Sequence, residues 1–429
     1  MAVNPQTLAQ KIIARASGRQ SVSPGEIVTC KVDLAMIHDS GGPRRVKPLL
    51  DRLGVPVWDA SRVVLVSDHY TPAVDEASAA IQKLTREFAR DQGIAAFYDQ
   101  QGICHVVLPE RGHMKPGMFL VGGDSHSPTG GAFGSFMFGI GATDMAGVLV
   151  TGETWIRVPE TIRVIWDGAL SRGVSAKDIM LRLCTALGMD GGDYQVIEYG
   201  GSTIAGLEMR ERMTLSNMAA ELGAITGLIG ADEVTRDYIR GVGGDLSTGP
   251  QGEWRSDEDA PVRETHRFNT AELAPQVAHP HSPANSRDVT EADSVNLDQA
   301  YIGACTGAKL NDLHMAAEIL KGRKVASGTR LLIAPASTRT TAAAAADGTL
   351  AALTEAGAIL MPSGCGACSG YGAGVLAEGE VCIASTARNF KGRMGSRESL
   401  VYLGSPYTVA ASAVMGRIAD PRPLLEERA

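Results

Sequence analysis

A chain of 429 residues with a formal net charge of −8 is too long for one compact core and predicts roughly two to four α/β units. The acidic balance argues against non-specific nucleic-acid binding, which requires a basic face. No apolar run approaches the length of a membrane span, and the first residues lack the apolar core of a signal peptide. We therefore predict a soluble, cytoplasmic protein.

The first predicted domain, residues 1–157, alternates amphipathic helix patterns with short apolar runs. Helices are predicted at 7–18, 43–53 and 72–93, and strands at 26–37, 62–68, 102–110 and 117–123. The last strand leads directly into a turn of small residues, 124–134, after which a helix is expected. Strands that alternate with helices predict parallel sheets covered on both faces.

Two further α/β domains are predicted, residues 158–290 and residues 291–429. Their clearest elements are helices at 175–188, 215–225 and 315–322, strands at 194–201, 296–304 and 329–337, and an alanine-rich helix at 341–348. Residues 241–295 lack apolar periodicity and are rich in Gly, Pro, Asp and Glu, so we expect an irregular crossover there, exposed for much of its length. The predicted fold class is α/β, with mostly parallel sheets.

The cysteines carry the first functional signal. There are seven in the chain: Cys30, Cys104, Cys184, Cys305, Cys365, Cys368 and Cys382. An odd number, thinly spread through a long chain, does not match a disulfide framework. Cys365 and Cys368 form a C-x2-C pair, and Cys305 follows an apolar run that predicts a strand end, where α/β folds place ligand sites. Three thiolates without an obvious fourth match an iron–sulfur cluster that has one iron open to substrate.

Other uses of the C-x2-C pair stay open on spacing alone. Structural zinc usually takes four ligands, often as two matched pairs, and Cys305 has no partner cysteine within four residues. Cys382 could supply a fourth ligand, which would close the site and remove the enzymatic interpretation. A thioredoxin-like redox pair is expected at a helix start beside bulky residues, whereas glycines surround this pair.

Several longer motifs occur in one order along the chain. They are VDLAMIHD (32–39), DHYTPA (68–73), GICHVVLPE (102–110), GDSHSPTGGAFG (123–134), YIGACTGAKLNDLHMAAEIL (301–320), CGACSGYG (365–372) and STARNFKGRMGS (385–396). Together they cover nearly the whole chain and resemble the aconitase superfamily. The pattern is most similar to the large subunits of the 3-isopropylmalate dehydratase and homoaconitase branch, in the shorter archaeal-type form.

This resemblance implies a fold, a cofactor and a reaction class. The fold would be three α/β domains around one four-iron–four-sulfur cluster per chain. Cys305, Cys365 and Cys368 would bind three of the irons, and the fourth iron would carry no cysteine. The reaction would be that of a hydro-lyase, which removes water from a hydroxy-acid and can add it back at the neighbouring carbon.

The resemblance also assigns acid–base roles. A dehydration needs a base for the carbon-bound proton and an acid for the departing hydroxide. Asp68 and His69, at a predicted strand end, would form a carboxylate–imidazole acid. His105, Asp124 and His126 would orient the reacting water. Taken alone, a histidine such as His105 is more often a hydrogen-bonded strand-end residue than a catalyst.

Further residues would bind substrate. Asn217 and Glu221 lie four apart on one predicted helix and share a face, from which the family's equivalent pair reaches the cluster; Glu221 is assigned to catalysis. His38 and Ser125 match substrate-side positions. Arg388 and Arg393 match arginines that bind substrate carboxylates, a task that suits the forked donors of guanidinium.

The family pattern also implies a partner. Single-chain aconitases carry the catalytic base on a further swivelling domain, whereas the end of this sequence, 419–429, falls where the family's large subunits end. We therefore expect a separate small subunit that completes the site and contacts the substrate's γ-substituent. Ala304, Gly307 and Ala387 replace side chains that hydrogen-bond in the family, which predicts a less well-supported cluster or an altered substrate.

The predicted function is the large subunit of an iron–sulfur-dependent hydro-lyase that acts on a small hydroxy-di- or tricarboxylic acid. Substrates of the 3-isopropylmalate, maleate, citraconate or dimethylmalate type all fit this expectation. The alternative is a cluster-less homologue that acts as a metal-binding protein or as a regulatory, RNA-binding protein. The acidic balance and the lack of a basic stripe count against RNA binding.

Overall fold

The computed structural model describes residues 4–292 and 294–427. Its first part contains the strands β1 (Ile27–Lys31), β2 (Leu34–His38), β3 (Val63–Ser67), β4 (Phe97–Asp99), β5 (Phe119–Gly122), β6 (Phe136–Gly139) and β7 (Glu153–Arg157). Its helices are α1 (Leu8–Ala16), α2 (Pro43–Leu53), α3 (Glu76–Asp91), α4 (Cys104–Glu110) and α5 (Ala142–Thr151). A parallel sheet runs in the order β4-β3-β2-β5-β6, and β1 pairs antiparallel with β7.

A second sheet is wholly parallel and has the order β10-β9-β8-β11. Its strands are β8 (Thr161–Asp167), β9 (Val196–Gly200), β10 (Thr226–Leu228) and β11 (Glu264–Asn269). The helices of this region are α6 (Ala176–Leu187), α7 (Ser202–Gly206), α8 (Met209–Met218) and α9 (Glu233–Gly241). The edge strand β11 is half exposed, whereas β9 and β10 are mostly buried.

The third sheet has the order β13-β12-β18-β17-β14-β15-β16 and is parallel except at β12, which runs antiparallel to β13 and β18. Its strands are β12 (Gln276–Ala278), β13 (Ser286–Asp288), β14 (Gln299–Ile302), β15 (Arg330–Ile333), β16 (Ile359–Leu360), β17 (Val381–Ala384) and β18 (Leu400–Leu403). The accompanying helices are α10 (Leu310–Leu320), α11 (Thr338–Ala346), α12 (Thr349–Glu355), α13 (Pro406–Met415) and α14 (Arg422–Glu426).

The local sequence accounts for most of these elements. Every residue of β2 and β3 is buried, as expected for central strands of a parallel sheet, whereas β1 alternates exposed and buried residues at its two-stranded edge. Helix α1 starts at a capping box between Thr7 and Gln10, and α3 at one between Asp75 and Ser78. None of the described helices is long and apolar enough to cross a membrane.

The first and third sheets pack against each other over a shared apolar cluster. Met36 and Val66 from the first sheet and Ile302 and Ile333 from the third are buried in it. Backbone bonds also cross between the two parts, because Cys365 N donates to the Asp68 carbonyl over 2.8 Å. The α/β class with mostly parallel sheets is confirmed, and the two sheets meet where the polar motifs converge.

Some predicted elements are wrong. Residues 102–110 form helix α4 after a short loop rather than a strand, because the carboxylate of Asp68 accepts Cys104 N (2.8 Å) at the helix start. The predicted strand 26–37 is two strands. The predicted helix 215–225 is the end of α8 followed by a 3-10 turn, Ala219–Leu222.

The crossover at 241–295 is more ordered than expected, since it contributes β11, β12 and β13, and β12 is fully buried. The pairing of β12 with β18 is a long-range contact, which local periodicity does not reveal. The predicted domain boundaries at 157/158 and 290/291 stay predictions. Residues 276–288, on the second-domain side of the later boundary, pair with strands of the third sheet.

Candidate active site

The polar motifs lie at the carboxyl ends of strands in the first and third sheets. His38 ends β2, Asp68 and His69 follow β3, and the segment 124–126 follows β5. Cys305 follows β14. Because the carboxyl ends of parallel strands meet at one edge of a sheet, these segments converge on one place, as α/β folds generally arrange their ligand sites.

His69 is held between two buried carboxylates. Its Nδ1 lies 2.7 Å from Asp68 Oδ1 and 3.6 Å from Asp39 Oδ1, and its backbone N donates to Asp39 over 3.1 Å. Burial alone would lower the pKa of His69, but Asp68 and the Cys365 sulfur raise it well above its ordinary value. Asp68 therefore fixes Nδ1 of His69 and favours the protonated form of its ring.

His38 supports His69 rather than offering a free nitrogen. Its Nε2 lies 3.0 Å from the Gly123 carbonyl, and Gly41 N donates to its Nδ1 over 3.4 Å. Its ring stacks on that of His69 with centroids 4.4 Å apart. Burial and the neighbouring His69 charge lower the pKa of His38, so this ring is neutral. Its substrate-binding role stays a prediction, and both nitrogens already have partners.

A second carboxylate, Asp124, holds two further histidines. His105 Nε2 lies 2.7 Å from Asp124 Oδ1, and the backbone N of His126 donates to the same oxygen over 2.7 Å. Burial opposes ionisation, but the two imidazoles hold the pKa of Asp124 well below its ordinary value. Asp124 is thus a partly buried carboxylate that positions His105 and His126 at once.

The hydrogen-bonded chain continues from His126 to an arginine. His126 Nε2 lies 3.0 Å from Glu221 Oε1, and Arg388 Nε donates to both oxygens of Glu221 over 2.9 and 3.1 Å. Arg388 Nη1 then donates to Ser125 Oγ over 2.9 Å. Glu221 is buried, yet His126 and Arg388 lower its pKa, so it is ionised. Side chains from three distant segments form one connected network.

Cys305, Cys365 and Cys368 come together beside this network, and none of them is in a disulfide. The Cys368 thiol donates to the Cys365 sulfur, which lowers the pKa of Cys365 well below its ordinary value; the charge of His69 acts in the same direction. Burial raises the pKa of Cys305 to about 12, with Cys365 as a further cause. The first thiolate of the set is therefore Cys365, next to His69.

Buried donors and acceptors without partners surround the cysteines. Asn217 donates to Cys305 Sγ (3.2 Å) and to Thr129 Oγ1 (2.8 Å), while its Oδ1 has no partner among the described residues. The Tyr301 hydroxyl and Arg393 Nε are also buried without a hydrogen bond there. Arg393 contacts the Cys368 sulfur. The two unpartnered donors, the Tyr301 hydroxyl and Arg393 Nε, fit a sulfide-bearing cluster, whose sulfur atoms accept hydrogen bonds, whereas Asn217 Oδ1 is an acceptor.

A single zinc ion fits these cysteines less well. Within the described residues, the groups that bring three or more ligand atoms within 4.8 Å of one another are His38–Asp39–Asp68–His69 and His105–Asp124–His126; the three cysteines do not form such a group. Thiolates on one tetrahedral zinc would lie about 3.8 Å apart, given a Zn–S bond of about 2.3 Å. Cys382 lies inside strand β17, buried in the apolar core of that sheet.

At Gly307, one of the three positions that depart from the family pattern, the structure leaves no room for a side chain. A Cβ at this position would lie 2.2 Å from Ser385 Oγ and 2.5 Å from the Ser385 carbonyl. Ser385 Oγ accepts Gly303 N (3.0 Å) and donates to the Gly303 and Gly307 carbonyls (3.2 and 3.1 Å). The hydroxyl of Ser385 thus braces the loop that carries Cys305. Ala304 in that loop has a φ of 68°.

Two supporting residues were missed by sequence reasoning. Asp39 accepts both backbone N–H groups that position His69 and Tyr70, and the only signal for it was its place directly after a strand. Lys177 is fully buried and donates to the Ser385 and Thr386 carbonyls over 3.3 and 2.5 Å. Burial lowers its pKa to about 8. A lysine in a predicted helix carries no signal for such a contact, which is purely tertiary.

Comparison with known proteins matches the chain to the Aconitase family (aconitate hydratase) over residues 10–294 and 287–416. A protein of Methanopyrus kandleri, 3-isopropylmalate dehydratase large subunit 1, is 47% identical over 98% of this chain and 100% of its own length. The probable methanogen homoaconitase large subunit of Methanothermobacter thermautotrophicus is 44% identical over 97% of both chains.

A third relative agrees, since 3-isopropylmalate dehydratase large subunit 1 of Pyrococcus furiosus is 43% identical over 98% of this chain and 99% of its own. Among solved structures, Thermococcus kodakaraensis aconitase X aligns over 86% of this chain and 89% of its own at 14% identity, with a TM-score of 0.49, a likeness too weak to define the fold. The full-length relatives and the family match agree with the motifs. The chain belongs to the aconitase family, whose members are hydro-lyases that generally bind a four-iron–four-sulfur cluster.

Proposed function

We propose that this chain is the cluster-bearing large subunit of a cytoplasmic hydro-lyase that reversibly dehydrates a small hydroxy-di- or tricarboxylic acid. The observation that carries the proposal is the meeting of three unpaired cysteines with two histidine–aspartate sites at one sheet edge. Substrates of the 3-isopropylmalate type are favoured by the names of the relatives. Maleate, citraconate and dimethylmalate types belong to the same chemical class.

Cys305, Cys365 and Cys368 would hold one four-iron–four-sulfur cluster in each chain, with one iron free of cysteine. When bound, such a cluster supplies a Lewis acid for the hydroxyl and carboxylate oxygens of the substrate. Asn217 and Arg393 already contact the sulfur atoms of Cys305 and Cys368. These donors would hold the cysteines and the cluster in place.

His69 is the best placed acid for the departing hydroxide. Its Nδ1 proton is fixed by Asp68, and its ring also hydrogen-bonds the Cys365 sulfur, so the Nε2 proton would be the one transferred once the proposed cluster binds that sulfur. Asp39 holds the backbone at the same point, which keeps the ring in one orientation. The raised pKa keeps His69 protonated near neutral pH, as an acid of this kind requires.

Arg388 and Ser125 would bind a substrate carboxylate at the other side of the site. Arg388 uses Nε for Glu221 and Nη1 for Ser125, so its Nη2 has no hydrogen bond within the described residues. Glu221 fixes the plane of the guanidinium, which prepares it for a second, planar partner. Asp124 and His126 would orient the water, because Asp124 fixes both imidazoles near this point.

The base that removes the carbon-bound proton would come from a separate small subunit. The relatives are named as large subunits, which supports an enzyme of two kinds of chain. A divided site also places part of the substrate selectivity on the partner. The chain alone is therefore expected to hold the cluster without full turnover.

Anaerobic reconstitution with iron and sulfide tests this proposal. We expect about four irons and four sulfides per chain, with a visible spectrum of the cluster and an EPR signal after one-electron oxidation. Cys305→Ala should lose most of the iron, whereas Cys382→Ala, a matched change at a buried cysteine inside β17, should keep it. With a small subunit, the wild type should then dehydrate a 3-substituted malate.

A chain that takes up zinc instead of iron would contradict the proposal, as would equal iron loss in both cysteine variants. In the first case the cysteines would belong to a metal-binding protein of another kind. In the second case Cys382 would be a ligand, so no iron would stay open to substrate.

A further inference from the structure

A cavity of about 370 Å³ beside the proposed active site is used by none of the roles assigned above. Its walls come from the loop after β3, helix α3 and the loop that carries the C-x2-C pair. Most of the lining is apolar or aromatic, and the side chains that matter are Tyr70, Ile81, Met361 and Tyr371. At its inner end the cavity reaches His69, the proposed acid.

Hydrogen bonds hold the two tyrosines that form the aromatic wall of the cavity. The rings of Tyr70 and Tyr371 lie 4.9 Å apart, and their hydroxyls are hydrogen-bonded. Asp39 accepts Tyr70 N over 3.2 Å, and the Gln82 amide donates to the Tyr70 carbonyl. The backbone of Tyr371 is fixed by a bond from its N to the Gly366 carbonyl (3.2 Å). A wall held in this way binds a ligand with little further loss of conformational freedom.

A cation, Arg44, is among the residues that line the cavity. The Arg44 guanidinium is 5.8 Å from the centroid of the Tyr70 ring, and its Nε donates to the Ser40 carbonyl over 2.6 Å. Within residues 4–292 and 294–427, Arg44 forms no ion pair with a carboxylate. The cavity therefore combines an apolar, aromatic lining with a positive charge on its wall, which suits an anion that has an apolar body.

We propose that this cavity binds the apolar substituent of the substrate, and that the substrate is a malate carrying a substituent about as large as a benzyl group. The inference rests on the proposed function. His69 lines both the cavity and the reaction site, so a group on the reacting carbon skeleton can enter the cavity directly. Arg44 would pair with one carboxylate of the substrate, and Tyr70 and Tyr371 would contact the ring of the substituent.

The size of the cavity supports a large substituent. Cavities that bind whole small molecules start at about 300 Å³, so this one exceeds what a methyl or isopropyl group fills. An apolar side chain that leaves space in such a pocket forgoes contacts with the walls. Selectivity for the larger substituent would then lie on this chain, and the partner subunit would not be its only source.

The experiment uses the reconstituted chain with its small subunit and malates substituted at C3 with methyl, isopropyl or benzyl. We expect kcat/KM to rise along this series, by about 100-fold from methyl to benzyl. In parallel, the binding of benzylsuccinate and methylsuccinate, which lack the hydroxyl and do not react, is measured by calorimetry. Benzylsuccinate should bind about 100-fold more tightly.

Ile81→Trp fills the cavity from helix α3. It should lower both kcat/KM for the benzyl substrate and the affinity for benzylsuccinate by at least about 30-fold, with no more than about a threefold effect on the methyl compounds. Ile359→Trp is the matched control, because Ile359 is an exposed residue of β16 and does not line the cavity. Iron content is measured in both variants to show that they fold and load.

The outcomes separate the two proposals. Turnover that shows no preference for the larger substituent and is the same in Ile81→Trp overturns the substituent cavity, while the hydro-lyase stands. Benzylsuccinate binding that is lost in Ile81→Trp, with no turnover of any malate by the loaded enzyme, supports the cavity and overturns the proposed reaction. If the wild type prefers the benzyl substrate and Ile81→Trp loses that preference, the result supports both the substituent cavity and the proposed reaction.

Discussion

The histidine–carboxylate part of the site and the cysteine part are built in different ways. The Asp68 carboxylate accepts hydrogen bonds from the His69 ring and from Cys104 N. The Asp124 carboxylate accepts hydrogen bonds from the His105 ring and from His126 N. In this part His105 Nδ1 is buried without a partner among the described residues, and around the cysteines there are more such atoms. Buried polar atoms lack partners there within the described residues: Asn217 Oδ1, the Tyr301 hydroxyl and Arg393 Nε.

The difference shows which part the chain completes by itself. Unpartnered buried polar groups cost about 1–3 kcal/mol each, so a fold keeps them where a bound group supplies the missing partner. Most hydrogen bonds of the acid–base part are formed within this chain, whereas the cysteine part retains several buried polar atoms that a bound group could contact. Variants in the two parts should therefore fail in different ways, and each prediction below separates loss of turnover from loss of iron.

The largest effect is expected from Asp68→Asn. The amide cannot hold His69 as a cation, so kcat should fall by about a thousandfold or more, as when the orienting carboxylate of a histidine is removed in other enzymes. Iron content of the reconstituted chain should change far less than kcat, because the substitution leaves intact the Asp68 carbonyl that accepts Cys365 N. Iron analysis beside steady-state kinetics checks both points, and loss of iron would show that the two parts are not independent.

The two arginines provide the next test. Arg393→Gln removes the buried donor that contacts Cys368, and iron should be lost in air about tenfold faster than from the wild type. Arg388→Gln is the matched change on the acid–base side, where the arginine contacts Glu221 and Ser125. It should keep its iron and lower kcat/KM by about 100-fold. Similar iron loss in both variants would mean that Arg393 supports the cluster no more than Arg388 does.

Gly307→Ala tests the packing of Ser385 against the loop that carries Cys305. The added Cβ would meet Ser385 Oγ and the Ser385 carbonyl, so the free energy of unfolding should fall by about 3 kcal/mol. Ser385→Gly in the same chain removes the side-chain part of the clash but not the carbonyl. Thermal unfolding of the single and double variants should then show partial recovery. No recovery would mean that the Ser385 side chain does not determine the choice of glycine, and complete recovery would mean that the Ser385 carbonyl makes no contribution.

The smallest effect is expected from Glu211→Gln in helix α8, because Glu211 belongs to neither part of the site. Burial raises the pKa of Glu211 to about 7, and its Oε1 accepts Ala176 N over 3.0 Å. The carboxyl group prefers its neutral form in the folded state. Its contribution to stability is therefore full below its unfolded pKa of about 4.5 and is lost as the pH rises through about 7.

Glutamine keeps the acceptor but never ionises. The variant and the wild type should be equally stable at pH 4.5, and the variant should be more stable by about 1 kcal/mol at pH 8, after allowance for partial exposure. Thermal unfolding at the two pH values measures this. A variant that is less stable at pH 8 would contradict the assigned direction.

Sequence patterns predicted the central strands well, because β2 and β3 are continuous apolar runs buried on both faces. They failed at 102–110, where the apolar run VVL fits a strand or a buried helix equally well. The decision came from Asp68, a residue of another strand end that caps the helix at Cys104 N. They also missed the strands within 241–295, whose partners lie on distant strands.

By itself, the sequence determined the α/β class, the family and the residues that could carry chemistry, because these depend on local periodicity and on residue types in order. Only the tertiary structure decided how those residues are used. Both ring nitrogens of His38 are hydrogen-bonded to the backbone, and Glu221 links His126 to Arg388 through hydrogen bonds. Lys177 donates to the Ser385 carbonyl. Hydrogen bonds between segments far apart in the chain depend on where strand ends meet, and no local pattern encodes that meeting.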